Sequence, residues 1–282
     1  MKKPQWMTLV IAFALTICLY AFTSGQIFGK NPKKATEADS PKSTEITIDS
    51  ILVHAKEKLP AEQVTRVNFL EKTITRGDVA IQKLHVFHQL ARFWLDSAKV
   101  FEPYAWYTAE AARLENSEKS LTFAAHLFLD NLRSEENSEL KRWKALQSQD
   151  LFERSLKINP VNDSSSVGLG SVFLFGGLGT PMEGIQKIRK VADENPNNLY
   201  AQMALGHASV LSGQLDKAIE RFEKAIVLAP ENLEVILSLA DIYERQGKTL
   251  DAIVLYKKSI PLIAIPGLKE EVEKRINDLS KK

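Results

Sequence analysis

The sequence predicts an all-α fold, an array of antiparallel helix pairs preceded by a transmembrane helix. Three observations carry this. Beyond Ile46 the apolar residues recur at three and four, with no convincing alternating stretch. The breaks between these runs are short. A pattern of large, small and glycine residues returns after 34 residues near the C-terminus.

Composition fits a folded body. The 282 residues are 44% hydrophobic and 26% charged. A net charge of +2 gives no electrostatic case for nucleic acid as a partner. Cys18 is the single cysteine, so no disulfide or cysteine-based metal site forms within one chain.

The N-terminus stands apart. Lys2 and Lys3 make a basic tail, residues 1–5, and no charge follows from Pro4 to Gly29. The apolar run Trp6–Phe22 lies within an anchor at 6–24, and with its uncharged flanks it suffices for a bilayer, which takes about 20 apolar residues. A cleaved signal peptide is the alternative, but its apolar region spans about 7–15 residues, and Ala21-Phe22-Thr23 is a poor cleavage site. A lipoprotein site at Cys18 is disfavoured by bulky Ile17 before it. Lys2 and Lys3 favour a cytoplasmic N-terminus; Lys30, Lys33 and Lys34 argue the reverse. The short tail favours the first, with the body outside the cytoplasm. Residues 25–45 read as a polar linker too poor in apolar side chains to offset its ordering entropy.

Residues 46–164 read as helical with degenerate repeats. Ile48, Ile51, Leu52, Ala55 and Leu59 share one face; so do Ile81, Leu84, Phe87, Ala91 and Trp94 or Leu95. Breaks are expected at Pro60, Arg76-Gly77-Asp78, Glu102-Pro103, Asn116-Ser117 and Pro160. Residues 105–132 read as a helix pair, and 149–160 as a second helix of a repeat. The dense aromatics Trp94, Phe101, Tyr104, Trp106 and Tyr107 are expected in the core, a peptide-binding shelf being the alternative.

Segments 199–232 and 233–266 align residue for residue. Leu205 falls on Leu239, Gly206 on Ala240, Gly213 on Gly247, Ala218 on Ala252, Phe222 on Tyr256 and Ala225 on Ser259. Small residues let two helices approach, large ones fill the space between pairs, and the glycines suit an interhelix turn. This pattern resembles the tetratricopeptide repeat (TPR), whose 34-residue unit carries a Leu-Gly pair, a turn glycine, Ala-x-x-x-Phe-x-x-Ala and a proline, here Pro230. The resemblance implies a TPR-type right-handed α-solenoid. Residues 165–198 fit one frame earlier as a degenerate repeat, with Gly179 as turn glycine, Gly184 small, Ile188 large and Pro196 closing. Thr180-Pro181-Met182-Glu183 reads as a capped helix start. The spacing from Pro160 to Pro196 leaves two extra residues, placed in Val161–Ser164. Residues 267–282 read as a capping helix.

The glycines from Gly168 to Gly179 are no phosphate loop: GxxxxGK[ST] is absent, and Phe173 stands where a third glycine is needed. The sequence leaves open why a first helix carries Gly168, Gly170, Gly176 and Gly177: Gly176-Gly177 end the helix early, the alternative being close packing of a neighbouring helix or of a bound peptide. No catalytic residue, metal site or cofactor emerges. His85 and His88 lie on adjacent turns but lack a third ligand, and no HExxH or GxSxG occurs.

The TPR resemblance implies a non-catalytic scaffold binding a protein or peptide in a concave groove, with no small-molecule substrate evident. Its groove positions map to Tyr200, Met203, His207, Val210 and Leu211, and in the next repeat to Glu234, Leu237, Asp241, Glu244 and Arg245. The lysine and asparagine clamp for a C-terminal carboxylate is absent. The whole chain is similar to bacterial single-anchor TPR proteins, which implies an inner-membrane location with a periplasmic body. Two alternatives stand beside the scaffold: an assembly factor for envelope enzymes, like the TPR modules of cytochrome c maturation, and a metal enzyme using His85, His88 or His126.

Overall fold

The computed structural model describes residues 46–76 and 79–281. The expected anchor at 6–24, the linker and the break at Gly77-Asp78 lie outside them. Among the described residues, no helix is long and apolar enough to cross a membrane.

The described chain is helical throughout: α1 (Ile48–Glu57), α2 (Ala61–Arg76), α3 (Ala80–Arg92), α4 (Phe101–Glu115), α5 (Glu118–Leu132), α6 (Ser138–Ile158) and α7 (Asp163–Phe175). Then follow α8 (Pro181–Glu194), α9 (Leu199–Leu211), α10 (Leu215–Leu228), α11 (Leu233–Arg245), α12 (Thr249–Ser259) and α13 (Pro266–Leu279). Successive helices pair as α3 with α4, α5 with α6, α7 with α8, α9 with α10 and α11 with α12. The first helices also touch one another, α5 on α7 and α7 on α9. This is a helical solenoid, and α13 closes it, burying Val272, Ile276 and Leu279 while its other side stays polar.

The helix starts explain the register. Ser117, Asn162, Asn198 and Asn232 each cap a first helix by accepting a backbone N–H three residues on. Eight residues beyond these caps stand Ala125, Gly170, Gly206 and Ala240, all buried. A Cβ on Gly206 would sit 2.7 Å from the Phe222 ring, and one on Gly170 would sit 2.6 Å from Ile188. Each is therefore the place where the second helix of its own pair crosses. One turn later in the second helices, Gly184, Ala218 and Ala252 meet the first helix from the other side.

The two extra residues of the degenerate repeat are not in Val161–Ser164. Pro160-Val161-Asn162 repeats the geometry of Pro196-Asn197-Asn198 and Pro230-Glu231-Asn232, with Asn159, Asn195 and Ala229 accepting from the caps. The insertion lies in the interhelix turn, where 176–180 replaces a three-residue turn such as 212–214. Gly176 ends α7 there, and Gly177 and Gly179 both take positive φ. Neighbouring helices account for the buried glycines: a Cβ on Gly168 would collide with Phe152, and one on Gly176 would lie 2.6 Å from Ala145.

Three other expectations change. Residues 105–132 are not one pair, because α4 completes the pair begun by α3 and α5 opens the next. The break near Pro103 falls earlier, at Lys99, which is left-handed (φ 54°); Pro103 is buried in the first turn of α4. Ile81 is 77% exposed, and the face toward the core runs through Val86, Leu90, Ala91, Phe93 and Trp94. Residues 93–98 widen into a π-helical turn, which rotates the buried face away from a regular period. Pro266 opens α13.

Two polar clusters fix the middle of the array. Lys144 of α6 is buried and reaches Asn131 Oδ1 (2.6 Å), Glu135 Oε2 (2.6 Å) and Glu102 Oε1 (2.9 Å). Thr122, Ser155 and Ser165, from α5, α6 and α7, form a triangle of hydroxyls with sides of 2.8, 2.9 and 2.9 Å.

Candidate functional site

One side of the solenoid is made by α5, α7, α9 and α11, and it curves inward. Arg133 at the end of α5 reaches Glu234 at the start of α11, Nη1 to Oε1, at 3.2 Å. Tyr200 of α9 likewise meets His126 of α5, ring centroids 5.5 Å apart. Helices two and three places apart in the row touch only if the row is concave.

Nine residues past the four caps stand His126, Ser171, His207 and Asp241; thirteen past stand Asp130, Phe175, Leu211 and Arg245. These two rows run along the inner face. His207 Nε2 bonds Glu234 Oε1 at 3.1 Å, and its ring stands edge-on to Phe222 at 5.0 Å. His126 makes the same edge-on contact with Phe152 at 5.0 Å and bonds Ser164 through Nε2 at 2.9 Å. Burial lowers the pKa of His126 below the ordinary value of 6.5, with Asp130 opposing. The hydrogen bond from His207, then the charge of Arg133, hold Glu234 low against the cost of burial. Burial raises the carboxyl of Asp130, against the charges of His126 and Arg133. It also raises the phenol of Tyr200, which bonds Ser171.

The expected groove residues meet different fates. Tyr200, His207 and Glu234 converge in this cluster, while Leu211 (64% exposed) stands free on the face. Asp241 and Arg245 pair along α11 at 2.8 Å. Met203, Val210 and Leu237 spend much of their surface on the helices beneath. Glu244 is taken up by the array itself, accepting from Arg275 Nε of α13 at 2.7 Å and from Tyr256 at 3.2 Å. Sequence reasoning missed Asp130, Arg133, Ser171 and Phe175. Counting from the helix caps would have found Asp130, Ser171 and Phe175.

The other histidines are engaged singly, His54 with Glu57, His85 with Gln89 and His88 with Glu115. No group of three His, Cys, Asp or Glu that could hold a metal ion occurs among the described residues. The expected core aromatics Trp94 and Tyr107 are buried, and Tyr107 donates to Glu71 Oε1 at 2.8 Å. A groove of about 730 Å³ opens on the other side of the array, lined by Pro196, Gln202, Glu220, Arg221 and Lys224, and includes none of the expected groove residues.

Residues 206–247 match the family model for the TPR repeat. The chain carries tetratricopeptide repeats. Two curated proteins are similar to part of the chain. Cellulose synthase operon protein C of Pseudomonas fluorescens (strain SBW25) is 26% identical over 113 residues, 40% of this chain and 9% of that protein. BBSome complex member BBS4 of Bos taurus is 26% identical over 124 residues, 42% of this chain and 22% of that protein. The matches thus span less than a quarter of either relative. Among solved structures, the thermophilic TPR protein TTC0263 of Thermus thermophilus covers 72% of this chain and 100% of its own, at 14% identity and a TM-score of 0.51. The type IV pilus biogenesis factor PilW covers 70% of this chain and 86% of its own, at 19% identity and a TM-score of 0.50. At these identities the likeness is one of fold.

Proposed function

We propose that the chain is a membrane-anchored TPR scaffold whose concave inner face receives an extended segment of a partner protein, and that it has no catalysis of its own. The observation that carries this is the row of first helices. It gathers Tyr200, His207, Leu211, Glu234, Asp241 and Arg245 on one inward-curving side, mixing open apolar and charged groups. Such a face suits a peptide with both kinds of side chain. Photo-crosslinking tests it. A benzoylphenylalanine at Leu211 should trap a defined partner peptide, and one at Val227, 78% exposed on a second helix, should not. Equal trapping at both positions moves the site off the inner face.

We further propose that residues 6–24 hold the chain in a bacterial inner membrane with the body outside the cytoplasm. The uncharged run from Pro4 to Gly29 supports this. Because Cys18 is the only cysteine, Val227→Cys supplies one label site on the body. A membrane-impermeant maleimide should label it in intact spheroplasts; labelling only after lysis reverses the orientation.

A further inference from the structure

The inner face has one point where charge is unequally matched. Around it stand Asp130 and Arg133 of α5, Glu234 of α11, Tyr200 of α9 and Phe175 of α7. Glu234 is engaged through Oε1, which accepts from Arg133 at 3.2 Å and from His207 at 3.1 Å. Arg133 is engaged as well, lying over the Phe175 ring at 5.1 Å. Asp130 is not: among the described residues it accepts no hydrogen bond, and it acts on its neighbours through charge alone. It is nonetheless crowded, since burial raises its carboxyl pKa while its side chain stays open to solvent. A carboxylate that is reachable from solvent and holds no protein donor is open to a charged donor from a partner.

The sign of that something follows from the count. Two carboxylates, Asp130 and Glu234, face one guanidinium, and burial keeps His126 on the neutral side of its ordinary range. An acidic or phosphorylated side chain would meet Asp130 directly and would have to take Arg133 from both Glu234 and Phe175. A cation meets a carboxylate without a protein donor, and the Tyr200 ring, close enough to feel the charge of Asp130, can receive its stem. We propose, resting on the inner face being a peptide groove, that Asp130 is its selectivity point and takes a lysine or arginine side chain of an extended partner segment.

The test is selection of displayed random linear peptides on the full chain in detergent micelles, repeated on Asp130→Asn and on Leu211→Glu. The expected result is a pool lost on Leu211→Glu and enriched in one basic position. A peptide from that pool should bind Asp130→Asn about tenfold more weakly. The same peptide with its basic residue changed to alanine should lose a similar factor on the unchanged protein, a comparison that needs no protein variant. Asp130 makes no hydrogen bond, so Asp130→Asn should keep its thermal midpoint. A pool lost on Leu211→Glu but without a basic position, or indifferent to Asp130→Asn, overturns the selectivity point and leaves the groove standing. A pool that survives Leu211→Glu, or no enriched pool at all, overturns both.

Discussion

Arg133, which ends α5, donates to Glu234 in the first turn of α11 across 101 residues of chain. Each charge also suits its helix end, a cation at a C-terminus and an anion at an N-terminus. Both side chains are partly exposed (38% and 49%), so the pair is worth little in energy. Its effect is geometric, tying the first helix of one pair to that of the third pair beyond it. A double-mutant cycle of Arg133→Ala and Glu234→Ala should give a coupling of about 0.5 kcal/mol at low salt, fading at high salt. Small-angle scattering of Arg133→Ala should show a larger radius of gyration. Zero coupling together with an unchanged radius would show that the tie is not made in solution.

Lys144 is a different case, because it is buried with its two carboxylates, Glu102 and Glu135, in attendance. Replacing it with methionine keeps the stem and strands both carboxylates. Denaturant unfolding should show a loss of about 3 kcal/mol, as for other broken buried pairs. A loss below about 1 kcal/mol would mean that water reaches the cluster.

The crossing of α7 and α8 should be the least forgiving point in the array. A Cβ on Gly184 would strike the carbonyl oxygen of Gly170, and backbone cannot step aside as a side chain can. Gly184→Ala gains about 1 kcal/mol of helix propensity, yet overpacking should exceed that and destabilise by about 2 kcal/mol net. Gly213→Ala, where the strain is only the positive φ of 72°, tests the other mechanism and should cost about 1 kcal/mol. A thermal midpoint that rises in Gly184→Ala would refute the close crossing.

Acid should weaken the fold in two stages. His126 has a folded pKa below its unfolded value of 6.5, so the unfolded chain binds the proton first. Stability therefore falls as pH drops below about 6.5, until the folded histidine also protonates. Glu135 and Glu234 have folded values below 4.5, so their contribution is whole above that pH and is lost as pH falls further. Asp130, whose folded pKa is raised, opposes this second stage slightly. Urea midpoints between pH 7.5 and 5.5 should fall for the intact chain and flatten in His126→Gln. A slope unchanged by that substitution would assign the first stage elsewhere.

What could be read from the sequence follows the spacing of the repeats. Leu205 and Leu239, Phe222 and Tyr256 repeat at one interval because no insertion separates them, so their burial was legible. The Ser117–Asn162 repeat was not, because 45 positions separate those caps where Asn198 and Asn232 stand 34 apart. Much of the difference is the 133–137 connection and the long α6. That length hid His126 as the counterpart of His207, although each stands edge-on to a phenylalanine. The π-helical turn at 93–98 left no mark either, since its apolar residues still fall at helical intervals. Glu244 was expected to line the groove, and nothing local announces Arg275, whose approach depends on where α13 docks.

The hydroxyl triangle of Thr122, Ser155 and Ser165 carries a consequence for inheritance. Each oxygen can give one proton and take one, so the ring is complete only with three members. Replacing one by an apolar side chain of the same shape leaves the other two bonded to each other, with one proton and one acceptor position unmatched; replacing all three leaves none unmatched. Three positions far apart in the chain therefore spell a single character, and related chains should keep it whole or change it whole.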